Sequence, residues 1–197
     1  MQFLRTATAR AAAAVQGKGR QDMGLEAHRA AAPSAVDVFV VTCSDTRDEE
    51  SDTTGAQIRD ALEAAGHRVV GSCIWREDAQ PLKRGLKDLL DAGGFDALIV
   101  NGGTGIAPRD RAYDVLSRLY EREIPGFGEF FRALSYGEIR SAAMLSRASA
   151  GIVRGKLVFS IPGSPGAARL ALEKLILPEL GHLVGELRRD APPERAS

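Results

Sequence analysis

From Val36 onward the chain alternates two rhythms of apolar residues. Short, nearly continuous, β-branched runs read as strands buried on both faces: VDVFVVTCS from Val36, HRVVGSCIW from His67, FDALIVN from Phe95, and Lys156–Ile161. Between them the apolar spacing turns helical. Ile58, Ala61, Leu62 and Ala65 fall at i, i+3, i+4 and i+7; Leu82, Leu86, Leu89 and Leu90 share one side of PLKRGLKDLLDAGG. Ala112, Val115, Leu116 and Leu119 form a further stripe. Thr54 and Gln57 have capping-box spacing at the start of the first helix, and Gly66 ends it. PGFGEFFRALSYGEI predicts a glycine-bounded helix, and SAAMLSRASAGIVRG a connection and turn. A last helix is expected from about Pro165 to Leu187, broken at Pro178. Strand–helix alternation of this kind predicts an α/β fold with a mostly parallel sheet and helices on both faces.

The two ends depart from the alternation. Residues 1–34 are rich in Ala and Arg, hold no acid before Asp22, and lack an amphipathic face. Alanines in place of a leucine-rich core exclude a secretory signal. Arg-rich, acid-poor composition leaves a transit peptide, a disordered tail or translation from an upstream start. Met23 opens MGLEAHRAAAPSA, which would itself make a natural N-terminus. The folded domain is expected over 35–187, followed by a polar tail over 188–197 with two prolines.

Charge and cysteine usage narrow the function classes. Lys+Arg and Asp+Glu number 26 each, so no bulk charge draws the chain to nucleic acid or an anionic membrane. No apolar run approaches the roughly 18 residues needed to span a bilayer. Cys43 and Cys73 stand alone in strand-like runs without CxxC spacing, as reduced cysteines of a cytoplasmic protein do. His28, His67 and His182 lack zinc-ligand spacing and are expected at the surface.

The candidate chemistry concentrates in NGGTGIAPRD, Asn101–Asp110, where Gly102, Gly103 and Gly105 follow a strand and precede a helix. Ligands of such folds bind at the carboxyl ends of strands. Glycines there let backbone N–H groups approach an anion beside a helix N-terminus; a tight structural turn is the alternative. No Lys follows as a P-loop requires. The GxGxxG fingerprint fails at its third glycine, and the acid about 20 residues on, Glu123, does not end a second strand. Arg109 can pair with a phosphate or carboxylate. Asp110 can hold Mg²⁺, position an attacking group, or cap the next helix.

Four blocks together resemble one family, the molybdenum cofactor biosynthesis proteins of the MoaB/MogA type: VTCSDTRDEESDTTG, NGGTGIAPRD, PGFGEFFRALSYGEIRSAAMLSRASAG and IPGSPGA. They stand in the family's order and spacing over about Met23 to Leu187, and the third looks more like the B-type branch. The resemblance implies a three-layer α/β/α sandwich with a mostly parallel sheet that binds molybdopterin. It also implies a homo-oligomer, trimer or hexamer. Active members transfer the adenylyl group of ATP, with Mg²⁺, to the pterin's terminal phosphate, yielding adenylylated molybdopterin and pyrophosphate. Carried over by motif, Ser44 and Asp45 match the first SD, and Asp52 and Gly55 the D..G before the first helix. Gly102, Gly103, Thr104 and Gly105 match the phosphate-cradling loop, and Asp110 an acid implicated in catalysis. Asp45 and Asp110 become the candidate Mg²⁺ ligands. Ser146 and Arg147 match LSR, and Gly163 and Ser164 the PGS turn, a second helix N-terminus open to a pterin or phosphate.

One departure bears on activity. Where the family commonly has PD after the second strand, with that Asp catalytically important, this chain reads WREDAQ. Glu77 stands at the matched position with Asp78 beside it, and the longer arm of Glu moves the carboxylate by about one methylene. Asn101 replaces the usual Thr. Three readings stay open: adenylylation of molybdopterin with MgATP; a non-catalytic pterin-binding or scaffold protein of the same pathway, favoured by Glu77; and a nucleotide-binding regulatory protein, disfavoured by the missing fingerprints. Cys43 reads as core, because no base is placed to activate it. Phe127, Phe130, Phe131 and Tyr136 read as core or subunit contact.

Overall fold

The computed structural model describes residues 32–189, and the expectations for 1–31 and 190–197 lie outside them. Six strands form one sheet in the order β2-β1-β3-β6-β5-β4. β1 (Asp37–Cys43) leads through α1 (Thr53–Ala64) to β2 (Arg68–Trp75). α2 (Ala79–Ala92) then carries the chain back across β1 to β3 (Ala97–Asn101). After α3 (Ala112–Leu116), β4 (Arg122–Glu123), α4 (Pro125–Ile139) and a 3₁₀ segment (Arg140–Leu145), β5 (Ser149–Val153) and β6 (Lys156–Ile161) form a hairpin. β1, β2, β3 and β6 run parallel; β5 and β4 are antiparallel to their neighbours.

Helices cover both faces, which is why the central strands are apolar throughout. On one face Val38, Val40, Ile99 and Phe159 pack with α1, α4 and the C-terminal helices. On the other, Val41, Leu98, Val100 and Val158 pack with Leu82, Leu86 and Leu90 of α2 and with α3. The result is a three-layer α/β/α sandwich, as expected.

Several local expectations change. The first helix is capped by Asp52, whose carboxylate accepts from Gly55 N at 2.9 Å, rather than by Thr54. Thr54 Oγ1 instead donates to Gly163 O at 3.2 Å. Ser149–Val153, expected within a connection, is β5: its partner β6 supplies the ladder that a weakly apolar SAGIV could not signal alone. The last helix does break at Pro178. α5 (Pro165–Ala171) passes into a π-turn, Leu172–Ile176, and α6 (Leu180–Arg188) resumes beyond the proline, which has no N–H to continue the ladder. His67 and His182 are partly buried rather than at the surface, His182 bonding Glu179 at 2.9 Å; His28 lies outside the described residues.

Two features of this topology place the site. α1 and α2 leave β1 and β2 on opposite faces, so strand order reverses between β1 and β3, the position where α/β sheets open a crevice. Register also sets Thr42 beside Asn101 and Asn101 beside Ile161, so three strands end level. The loops that follow, from Ser44, Gly102 and Pro162, must meet.

Candidate functional site

They meet around a cavity of about 600 Å³ at the carboxyl edge of the sheet. The glycine loop forms its floor. Gly102 (φ 109°) and Gly103 (φ 63°) hold backbone conformations that a side chain resists. A Cβ at Gly102 would collide with the Cys43 carbonyl oxygen, and one at Gly103 would lie 2.9 Å from Glu77 Oε2. Glycine is therefore required both by torsion and by contact.

Arg147 fastens this loop from behind. Its guanidinium donates to Gly105 O at 2.9 Å and Asp110 O at 2.8 Å, and pairs with Asp114 at 2.7 Å. Its backbone N donates to Thr104 O at 3.0 Å, and the side chain stacks over the Tyr113 ring. Arg147 thus holds the loop's shape and does not line the cavity, unlike its neighbour Ser146. Asp110 also takes a role other than helix cap. Its Oδ2 accepts from Ala107 N at 2.8 Å, while the residue before α3 is Arg111, without a side-chain cap. The carboxylate is turned back toward Gly105 at the cavity.

Asp45 and Glu77 complete an acidic corner with Asp110. Glu77 N donates to Asp45 Oδ1 at 3.2 Å, and Glu77 Oε2 accepts from Arg111 N at 3.4 Å. Burial holds the Glu77 carboxyl above the usual glutamate range; the Arg111 N–H opposes this, and the Asp110 and Asp45 charges add to it. Among the described residues, no three His, Cys, Asp or Glu side chains converge as a ready metal cage. Magnesium does not need one, since it takes one or two carboxylates and completes its shell with phosphate and water.

Ser44, Arg109, Gly163 and Ser164 also line the cavity, so most of the expected site residues are brought together. Two acids are not. Asp52 is buried beneath α1, accepting from Thr42 Oγ1 at 2.7 Å as well as Gly55 N. Asp78 is exposed and caps α2 by accepting from Gln80 N at 3.3 Å, which directs it away from the cavity. Cys43 is buried, and burial pushes its thiol well up, which disfavours the thiolate a nucleophile needs.

The structure also adds residues. Arg47 donates to Gly163 O at 3.1 Å and sits 3.6 Å from Asp52, tying the β1 loop to the turn after β6. Its identity as the lone base in an acidic run was visible in the sequence; its reach across to Gly163 was not. Opposite the glycine loop, Phe131, Ile139, Ala143 and Leu145 form an apolar wall from α4 and the 3₁₀ segment, with Ser135 set into it. Phe127 and Phe131 are core, whereas Phe130 and Tyr136 are 65% and 55% exposed. Helical periodicity alone did not separate them.

A match to the family described as "Probable molybdopterin binding domain" spans residues 39–182, most of the described chain. Molybdenum cofactor biosynthesis protein B of Halalkalibacterium halodurans is 46% identical over 169 residues, covering 85% of this chain and 99% of that protein. The chain belongs to the MoaB/MogA molybdopterin-binding family. The fold agrees with this membership. A crystal structure of a molybdenum cofactor biosynthesis protein B, 47% identical, superposes with a TM-score of 0.77 over 80% of this chain and 99% of the other. The tungsten cofactor synthesizing protein MoaB of Pyrococcus furiosus, 36% identical, reaches 0.70 over 80% and 99%. In this MoaB/MogA member the four recognised motifs are the β1 loop, the glycine loop, the α4 wall with its 3₁₀ extension, and the Gly163–Ser164 turn.

Proposed function

We propose that the protein acts in molybdenum cofactor biosynthesis in the cytoplasm, binding molybdopterin in this cavity and adenylylating it with MgATP. The observation that carries the reading is the convergence of the glycine loop, the Asp45–Glu77–Asp110 corner and an apolar wall on one opening at the strand-order reversal. Adenylyl transfer brings two anions together, so it requires fixed positive groups and donors where charge accumulates. The loop after β3 offers backbone N–H groups, and Arg109 offers a guanidinium. The apolar wall suits a flat heterocycle, and Ser135 and Ser146 give it hydrogen-bonding partners.

Asp45 and Asp110 would hold Mg²⁺, which when bound neutralises phosphate charge; Glu77 stands close enough to assist. Asp110 is the residue through which the reading is most exposed to failure. Incubating protein with molybdopterin and MgATP should give adenylylated pterin by mass. Asp110→Asn keeps an acceptor for Ala107 N, so it should lower the rate about 100-fold or more while leaving pterin affinity within a few fold. Full activity in that variant would reduce Asp110 to a loop support. Tight pterin binding with no product from the unmodified protein would favour a non-catalytic binding protein, the reading that Glu77 supports.

Self-association belongs to the same proposal. Phe130, Leu134, Tyr136 and Met144 give α4 and its 3₁₀ extension a solvent-facing surface with four large exposed apolar side chains. A second copy of the chain covering this surface would make a homo-oligomer. Sedimentation at micromolar concentration should give a trimer or hexamer, and a monomer would count against it. No helix among the described residues is long and apolar enough to cross a membrane.

A further inference from the structure

Beside the main cavity, at the β2 edge of the sheet, lies a second opening of about 980 Å³. The two share one wall, the turn Ser44–Arg47. Arg47 faces this space from the wall, Arg59 from α1 and Arg76 from the end of β2. Three arginines therefore line a single opening; the Arg47 guanidinium is held by Gly163 O and Asp52, which leaves Arg59 and Arg76. Of the four acids on the rim, Asp52 caps α1 and pairs with Arg47, Asp48 bonds Ser51, Asp45 accepts from Glu77 N, and Glu49 stands exposed to water. Arg59 and Arg76, by contrast, have no ion-pair or side-chain hydrogen-bond partner among the described residues. Unspent guanidinium forks around a polar opening suit phosphate oxygens.

We propose that this opening is a pyrophosphate site, which takes the β- and γ-phosphates of the nucleotide and holds pyrophosphate after transfer. The proposal rests on the adenylyl-transfer reading above. In that step an oxygen of the pterin's terminal phosphate bonds to the α-phosphorus of ATP. The bond from that phosphorus to the oxygen bridging the β-phosphate breaks, and its electron pair leaves on pyrophosphate. In-line displacement puts attacking and leaving oxygens on opposite sides of the phosphorus. Strand order supplies those two directions: the apolar wall lies beyond β6 toward β5, and the arginine opening lies beyond β1 toward β2. Charge that develops on the leaving group is met by Arg59 and Arg76.

Inorganic pyrophosphate is the probe, titrated by calorimetry and ³¹P NMR into the full-length protein without nucleotide or pterin. The unmodified protein should bind it, and R59A/R76A should bind it about 10-fold or more weakly with molybdopterin affinity unchanged. R59K/R76K should retain an intermediate affinity. Should the double alanine variant fail to fold, R76E at its exposed position should give a loss of the same sign. Equal affinity in the unmodified protein and R59A/R76A, or no binding by the unmodified protein, overturns the proposal. Failure of the underlying reading looks different: pyrophosphate binding that depends on Arg59 and Arg76, in a protein that makes no adenylylated pterin.

Discussion

The two walls of the main cavity are built on opposite plans. The glycine-loop wall is held almost entirely by polar ties, from Arg147 to three carbonyls and from Asp110 to Ala107 N. The α4 wall is held by side-chain burial, with Phe131 1% exposed while Ile139 and Leu145 in the same wall are 54% and 49% exposed. A wall of hydrogen bonds fixes atomic positions, as an anion cradle requires. A wall anchored by one buried aromatic fixes a surface and leaves its outer residues free to meet a ring or a partner.

The anchor is the place to break the second plan. Phe131→Ala should cost about 3–5 kcal/mol in urea unfolding, since a large buried side chain leaves a cavity that relaxes only partly. The loss should appear as global destabilisation. A change under about 1 kcal/mol would mean that α4 is held mainly elsewhere, by Phe127 against Phe159.

Arg147→Ala tests the first plan and should cost less, about 2 kcal/mol, because hydrogen bonds to a charged group are each partly repaid by water when broken. Its signature should be local: faster amide exchange over 102–111 than elsewhere, with weaker pterin binding. Arg147→Lys should not restore either, because an ammonium cannot span Gly105 O, Asp110 O and Asp114 together. Uniform acceleration of exchange across the sheet would show that the loop is not a separately fastened unit.

The same contrast explains what was legible in the sequence. The central strands and the main helices follow from apolar periodicity, because burial on a sheet face leaves a regular trace. The glycine loop was visible because positive φ at Gly102 and Gly103 has few other solutions. Arg147 carried its motif, but not its direction; which carbonyls a guanidinium reaches depends on how β5 and the 3₁₀ segment are placed. The split between buried Phe131 and exposed Phe130 was invisible for a related reason, since a mean apolar helix does not say which stripe faces the sheet. That Asp52 and Asp78 cap helices and do not line the main cavity was not legible, because a helix-capping acid and a site acid have the same letter. β5 escaped because its five residues, SAGIV, gain their identity from pairing with β6.

The smallest effect probes the partial burial of a carboxyl within the polar wall itself. Glu77 stands near Asp45 and Asp110 in a partly buried corner, and its carboxyl is held above the usual range, chiefly by burial. The folded protein therefore binds this proton more tightly than the unfolded chain does. The stabilising contribution is fully present below the pKa of an unfolded glutamate, and it is lost as pH rises through the raised folded value. Glu77→Gln removes that titration while keeping an acceptor for Arg111 N. Melting temperatures measured across this interval should show Glu77→Gln gaining on the unmodified protein as pH rises from the carboxylate range toward neutrality. The reverse trend would mean that Arg109 or the Arg111 N–H outweighs the burial and the two acids. In that case the corner would be set to hold Glu77 ionised without a cation, and the departure from Asp at this position would weaken the electrostatic case for Mg²⁺ there.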